Sequence, residues 1–253
     1  MRISYKVFIL FALLSVLAAV LMLPYTMDLL GDALEEARMI LGVDARSFTL
    51  ILLVQSSVLY IVASFIGLLL YSGAGFRMPW IEKWIEGKKV SIDRNEWIRV
   101  TLIGGIAVGT AIILGDWIFM QLGSPLNLFE AELPAWWRGL FAAAGAGIGE
   151  EILMRLFLMT ALTFLFHRGL RLPQSLSAGV ALLLAALVFG LGHLPATQNL
   201  VTLTPLIVTR ALLLNGVGGV AFGWLYWKHG LESAMVAHFL ADVLIHGIVP
   251  LAF

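Results

Sequence analysis

The sequence predicts an all-α protein, a bundle of about seven to eight membrane-spanning helices, and three observations predict it. The 253 residues are 60% hydrophobic and 13% charged, against roughly a quarter charged in ordinary soluble domains. Apolar runs long enough to cross a hydrocarbon core of about 30 Å as helices recur along the whole chain. Runs of alternating polarity, the mark of a lipid-facing barrel, are absent.

Taken in order, the expected spans lie near 7–23, 48–71, 98–122, 138–166, 175–193, 206–227 and 231–252. The first follows Arg2 and Lys6 and is read as a span, since no small-x-small cleavage site follows it. Between spans, "DLLGDALEEARMILG" (28–42) and "PWIEKWIEGKK" (79–89) are amphipathic and suit short interfacial helices. Trp97, Trp136, Trp137 and Trp227 fall near span ends, where indole rings favour the headgroup layer. No repeat or long linker divides the chain, so 1–253 reads as one membrane domain. Its chemistry-bearing motifs fall within 140–252, and spans 1–122 support them.

Lys and Arg in the loops set orientation. With the N-terminus cytoplasmic, Arg2, Lys6, Arg77, Lys83, Lys88, Lys89, Arg94, Arg99, Arg168, Arg171 and Lys228 share one side. Arg38, Arg46 and Arg138 take the other. Eleven against three places the N-terminus in the cytoplasm, and seven spans then put the C-terminus outside. The expected location is an integral protein of the cell membrane. A net charge of zero gives no sign of nucleic-acid binding, and with no cysteine there is no thiolate nucleophile or disulfide.

Ionisable side chains inside hydrocarbon face a partner or a wet cavity because their desolvation is costly. Here they are Asp116, Glu150, Glu151, Arg155, His193, Arg210, His238, Asp242 and His246. Glu151 and Arg155, at i and i+4, are expected to pair within one helix. Glu150 is rotated by about 100° and has Ala146 and Met154 one turn away, so it has no local partner. Asp116 and Arg210, at similar depth near the outer ends of their spans, are expected to pair across helices. His246 reads as structural. The small-residue runs at 142–149 and 215–223 are expected to allow close helix packing.

Glu150, His193, His238 and Asp242 bring two carboxyls and two imidazoles from three spans, a set suited to activating water. A glutamate in an apolar pocket serves as general base. One histidine shares the water or donates to a leaving amine, and another N–H stabilises an oxyanion. The same ligands could hold a zinc ion with an open water position.

Three motifs in order carry a resemblance: EExxxR (Glu150, Glu151, Arg155), FxxxH (Phe189, His193) and HxxxD (His238, Asp242). Over about 140–252 the chain resembles the CPBP intramembrane proteases, which include type II CAAX prenyl endopeptidases and the bacteriocin-processing or immunity (Abi) proteins. The resemblance implies a helical bundle and peptide-bond hydrolysis within the membrane, on a membrane-embedded or lipidated peptide. It implies that Glu150 and His193 activate the water and that His238 and residue 242 stabilise the oxyanion. Glu151, Arg155 and Phe189 would support them. The family has been described both as metalloproteases and as glutamate proteases, so zinc stays open.

Position 242 departs from the CAAX-cleaving pattern, which usually has Asn. An ionised Asp cannot donate to an oxyanion, so Asp242 is protonated, orients His238 or binds a cation. Depth raises a second expectation. At about 1.5 Å per residue, His193 sits about 27 Å from the cytoplasmic end of its span and His238 about 10 Å. Sharing one water then requires a fifth helix that starts beyond the bilayer, a re-entrant 194–205, or strong tilt. Two other classes fit the same residues: a proton-coupled secondary transporter using them as a relay, and a catalytically silent immunity or peptide-binding protein.

Overall fold

In the computed structural model, residues 4–85, 87, 92–126, 128 and 134–252 are described, and no strand occurs among them. Five helices precede the motif region: α1 (Tyr5–Leu29), α2 (Gly31–Leu41), α3 (Ala45–Ala74), α4 (Pro79–Trp84) and α5 (Arg94–Gln121). Next, α6 runs continuously over 136–169, with π-helical stretches at Ile152–Met159 and Leu165–Gly169. It is followed by α7 (Gln174–Gly192), α8 (Leu194–Leu200) and α9 (Pro205–His229). Last comes α10 over 231–252, π-helical at Val243–Ile248.

Among the described residues, six helices are long and apolar enough to cross a membrane, namely α1, α3, α5, α7 with α8, α9 and α10. The remaining expected span, 138–166, falls on α6, whose regular α-helix gives way to π turns from Ile152 onward. The expected amphipathic loops are α2, where no residue is buried, and α4. The tail of the second, at 86 and 88–89, lies outside the described residues.

Local chemistry sets the helix ends. Asp44 and Asp93 cap α3 and α5 by accepting from backbone N–H groups two and three residues on, at 2.9–3.1 Å. Thr204 caps α9 just before Pro205, whose missing N–H costs nothing in a first turn. Gly230, at φ 94°, makes the sharp turn from α9 into α10.

The centre of the bundle is α6, which packs against α1, α3, α7 and α10. Its small-residue run makes this possible. A Cβ on Gly147 would lie 3.0 Å from the Met235 carbonyl oxygen of α10, tighter than most real Cβ contacts. The second run works the same way, since a Cβ on Gly219 would lie 2.8 Å from Ala186 Cα. Without a hydrophobic force between helices in lipid, such close backbone contact is what van der Waals packing can exploit.

Asp116 and Arg210 pair as expected. Arg210 Nε donates to Asp116 Oδ1 at 2.6 Å, and Asp116 Oδ2 accepts from Leu128 N at 2.6 Å. The pair ties the C-terminal end of α5 to the N-terminal end of α9. One partly buried acid escaped the sequence reading: Glu232, at the start of α10, accepts from the N–H groups of Trp80 and Ile81 at 3.0 and 2.9 Å.

Candidate active site

Glu151 is the anchor of the site. It is wholly buried on α6, and its Oε1 lies 2.9 Å from Arg155 Nη1, the intrahelical pair expected from the spacing. Arg155 is buried as well. Its Nη2 donates to the Gly219 carbonyl of α9 at 3.2 Å, and its guanidinium lies over the Phe189 and Phe222 rings at 5.0 and 5.6 Å. The cation is therefore held by one carboxylate, backbone carbonyls and two ring faces.

The same Glu151 oxygen reaches across to α10 and lies 2.8 Å from His238 Nδ1. A carboxylate can only accept here, so Nδ1 carries the proton. Phe222 stacks on the imidazole at 4.6 Å and 17° and fixes its plane. Nε2 is left facing two acids, Asp242 Oδ2 at 3.4 Å and Glu150 Oε2 at 3.7 Å. Glu150 itself, a quarter exposed, points into a cavity. The rotation that denied it a partner on its own helix aims it at this space.

His193 forms the turn between α7 and α8. Its Nδ1 lies 2.8 Å from the Phe189 carbonyl, so Nδ1 is the donor and Nε2 is left as an acceptor. The structure thus gathers Glu150, His193, His238 and Asp242 around one cavity of about 440 Å³. The expected depth mismatch does not arise. Both imidazoles pack edge-on against Phe189, at 4.7 and 6.0 Å between ring centroids. The reason is that α10 starts inside the protein. Leu231 is fully buried, its N–H donates to the Arg77 carbonyl at 3.3 Å, and Ser233 bonds Thr101, about two turns into α5, at 2.7 Å.

Two wall residues were missed from sequence. Tyr25, from the far end of α1, bonds His246 Nδ1 at 3.0 Å through its hydroxyl, and both line the cavity. Asn215, inside α9, lines it too, with its amide N–H donating to the Ala211 carbonyl at 2.9 Å. An amide in mid-span is costly in hydrocarbon and could have been singled out on that ground. Tyr25 carries no such signal, because a tyrosine at a span end reads as an interfacial anchor.

The zinc reading requires donors that converge. Each histidine has its Nδ1 committed, His238 to Glu151 and His193 to a backbone carbonyl, an arrangement that leaves each Nε2 as the one nitrogen able to meet an ion. Among the described residues no three His, Cys, Asp or Glu side chains are placed to hold one metal ion. In this arrangement the donor set does not fit a metal ion.

A bundle of membrane-length helices around an internal carboxylate–imidazole cavity defines an integral membrane protein whose polar chemistry is kept within the helices. Residues 132–244 match the family model for Type II CAAX prenyl endopeptidase Rce1-like. Over that stretch, somewhat under half of the chain, the sequence is similar to the type II CAAX prenyl endopeptidases, in agreement with the CPBP resemblance of its motifs. Neither the curated proteins nor the solved structures contain a match.

Proposed function

We propose that the protein is an intramembrane endopeptidase in which Glu150 and His193 activate a water molecule for attack on a peptide carbonyl. One observation carries the reading: the Glu150 carboxylate has no partner on its own helix and opens into a cavity that His193 and Asp242 also line, 3.7 Å from an imidazole held by a buried ion pair.

The hydrogen-bond pattern supports the following division of roles. His193 Nε2 is a bare acceptor and holds one hydrogen of the water, while Glu150 takes the other as general base. Oxygen bonds to the carbonyl carbon, and negative charge develops on the carbonyl oxygen. His238 Nε2 faces that charge. Its Nδ1 proton is committed to Glu151, so donation from Nε2 requires the imidazolium form. Asp242, 3.4 Å from Nε2, orients the ring and balances its charge. That role needs no donor at 242 and explains how an aspartate serves where CAAX-cleaving members usually have Asn. Glu150 then returns its proton to the amine nitrogen as the C–N bond breaks, leaving a carboxylic acid and an amine.

The test is cleavage of a membrane-anchored peptide library by the purified protein and by Glu150→Ala and His193→Ala. Both variants should lose cleavage while their thermal unfolding stays that of the parent. Retained cleavage in either would remove the water-activating pair. Elemental analysis of the same samples, purified without chelator, bears on the metal. Stoichiometric zinc that disappears in both variants would replace this scheme with a metalloprotease one.

A further inference from the structure

The cavity is not symmetric between the two ends of the bundle. Beneath Glu150 and His238 the interior is solid. Arg155, Phe222, Tyr226, Phe76, Met78 and Leu231 are all buried, none more than 3% exposed. Above them the cavity runs the other way, past Tyr25, His246 and Asn215, to Arg210, Leu30 and Leu128. These last belong to the outer end of the helices: the residue after α1, the segment after α5 and the first turns of α9. Gly192 and Leu200 in this part of the wall are exposed. Among the described residues, the route to Glu150 therefore leads from this end.

The charge distribution of the chain says which end it is. Among the described residues the sealed end carries eight Lys or Arg near or beyond helix ends, including Arg77, Arg94, Arg168 and Lys228. The open end has Arg38, Arg46 and Arg138 in its loops. Arg138 pairs with Asp28 and Arg38 with Glu35, so they add little free positive charge. Cytoplasmic loops collect Lys and Arg, so the sealed end is the cytoplasmic one.

We propose that the site opens on the extracytoplasmic face and takes polypeptide segments presented from that side, such as an exported or membrane-anchored chain with its scissile bond in the outer half of the bilayer. The inference rests on the protease reading for the word substrate, but not for the direction of access. It also separates this chain from an enzyme acting on lipidated tails delivered from the cytoplasm. The polar groups along the route suit an extended backbone: the Tyr25 hydroxyl, His246 and the Asn215 amide offer hydrogen bonds that a transmembrane helix, already satisfied internally, does not need.

The protein contains no cysteine, so single cysteines report access cleanly. Thr202→Cys and Lys228→Cys stand at exposed positions beyond or near opposite ends of α9, and Ala196→Cys stands in the cavity wall. Each is exposed to a membrane-impermeant sulfonated maleimide in intact cells and after permeabilisation. The expected result is labelling of Thr202→Cys and Ala196→Cys in intact cells, and of Lys228→Cys only after permeabilisation. Labelling of Lys228→Cys in intact cells with Thr202→Cys protected would overturn the orientation. Labelling of Thr202→Cys with Ala196→Cys protected would overturn the outer opening. None of these readouts needs turnover, so a protein that cleaves nothing would defeat the protease reading and leave the access result standing.

Discussion

Two adjacent glutamates on one helix do opposite work, and the division can be measured. Glu151 neutralises Arg155 and holds His238 Nδ1, so Glu151→Gln leaves a buried guanidinium without its counter-charge. Breaking a buried pair from one side costs about 3–5 kcal/mol, and thermal unfolding in detergent should fall accordingly. Glu150 points into the cavity and holds nothing in place. Glu150→Gln should leave the unfolding midpoint unchanged and lower the cleavage rate by about 10²–10⁴-fold, the usual contribution of a general base. If Glu150→Gln destabilises the protein as Glu151→Gln does, the first glutamate is a structural residue and the proposed base is lost. Asp242 admits a finer test. As the group that orients His238, it should tolerate Asn, whose oxygen still faces Nε2, within about tenfold in rate, about 1.4 kcal/mol. Asp242→Ala should lose more, and equal rates for the two would end the orienting role.

At the scale of elements, the motif helices owe their positions to what is small rather than to what is apolar. Where Gly219 meets Ala186, α9 and α7 come close enough to set Phe222 and Phe189 around Arg155 and His238. Gly219→Val should push these helices apart and cost about 1–3 kcal/mol through overpacking. Cleavage should drop with it, read as a lower unfolding midpoint together with a lower rate; an unchanged midpoint would mean that the contact yields freely. The glycine runs, the Glu151–Arg155 spacing and the Asp116–Arg210 pair were legible in the sequence because each is a matter of local period or scarce charge. Depth was not. Nothing in "KHGLESAMVAH" shows that Leu231 starts its helix under cover of Arg77 and Pro79, since that cover comes from 150 residues earlier in the chain. Nor does periodicity reveal the π turns that follow Glu151 and Asp242 directly. They alter the phase of the helix just beyond the reacting groups, a placement common at functional sites.

The whole molecule is larger than the domain its motifs define. The family match spans 132–244, yet the buried core runs without a break from Ile152, Leu156 and Met159 through Val7, Phe11, Ala63 and Leu68. Helices α1 and α3 cover one flank of α6, and Tyr25 of α1 forms part of the cavity wall. Stripped of them, α6 would expose the face that buries Ile152 and Leu156, where Gly67 of α3 meets the Leu156 backbone and Gly145 meets Ala18 of α1. A fragment beginning at 134 should therefore be degraded in cells and inactive when recovered. Supplying 1–128 as a second chain should restore both, because the cut falls in the connection between α5 and α6 and each fragment then consists of complete helices whose backbone bonds are internally satisfied. Steady-state abundance and cleavage by the fragment alone, the co-expressed pair and the intact chain decide it. Activity in the fragment alone would show that the Rce1-like domain carries its own cavity, and that α1 to α5 serve some purpose other than building the site.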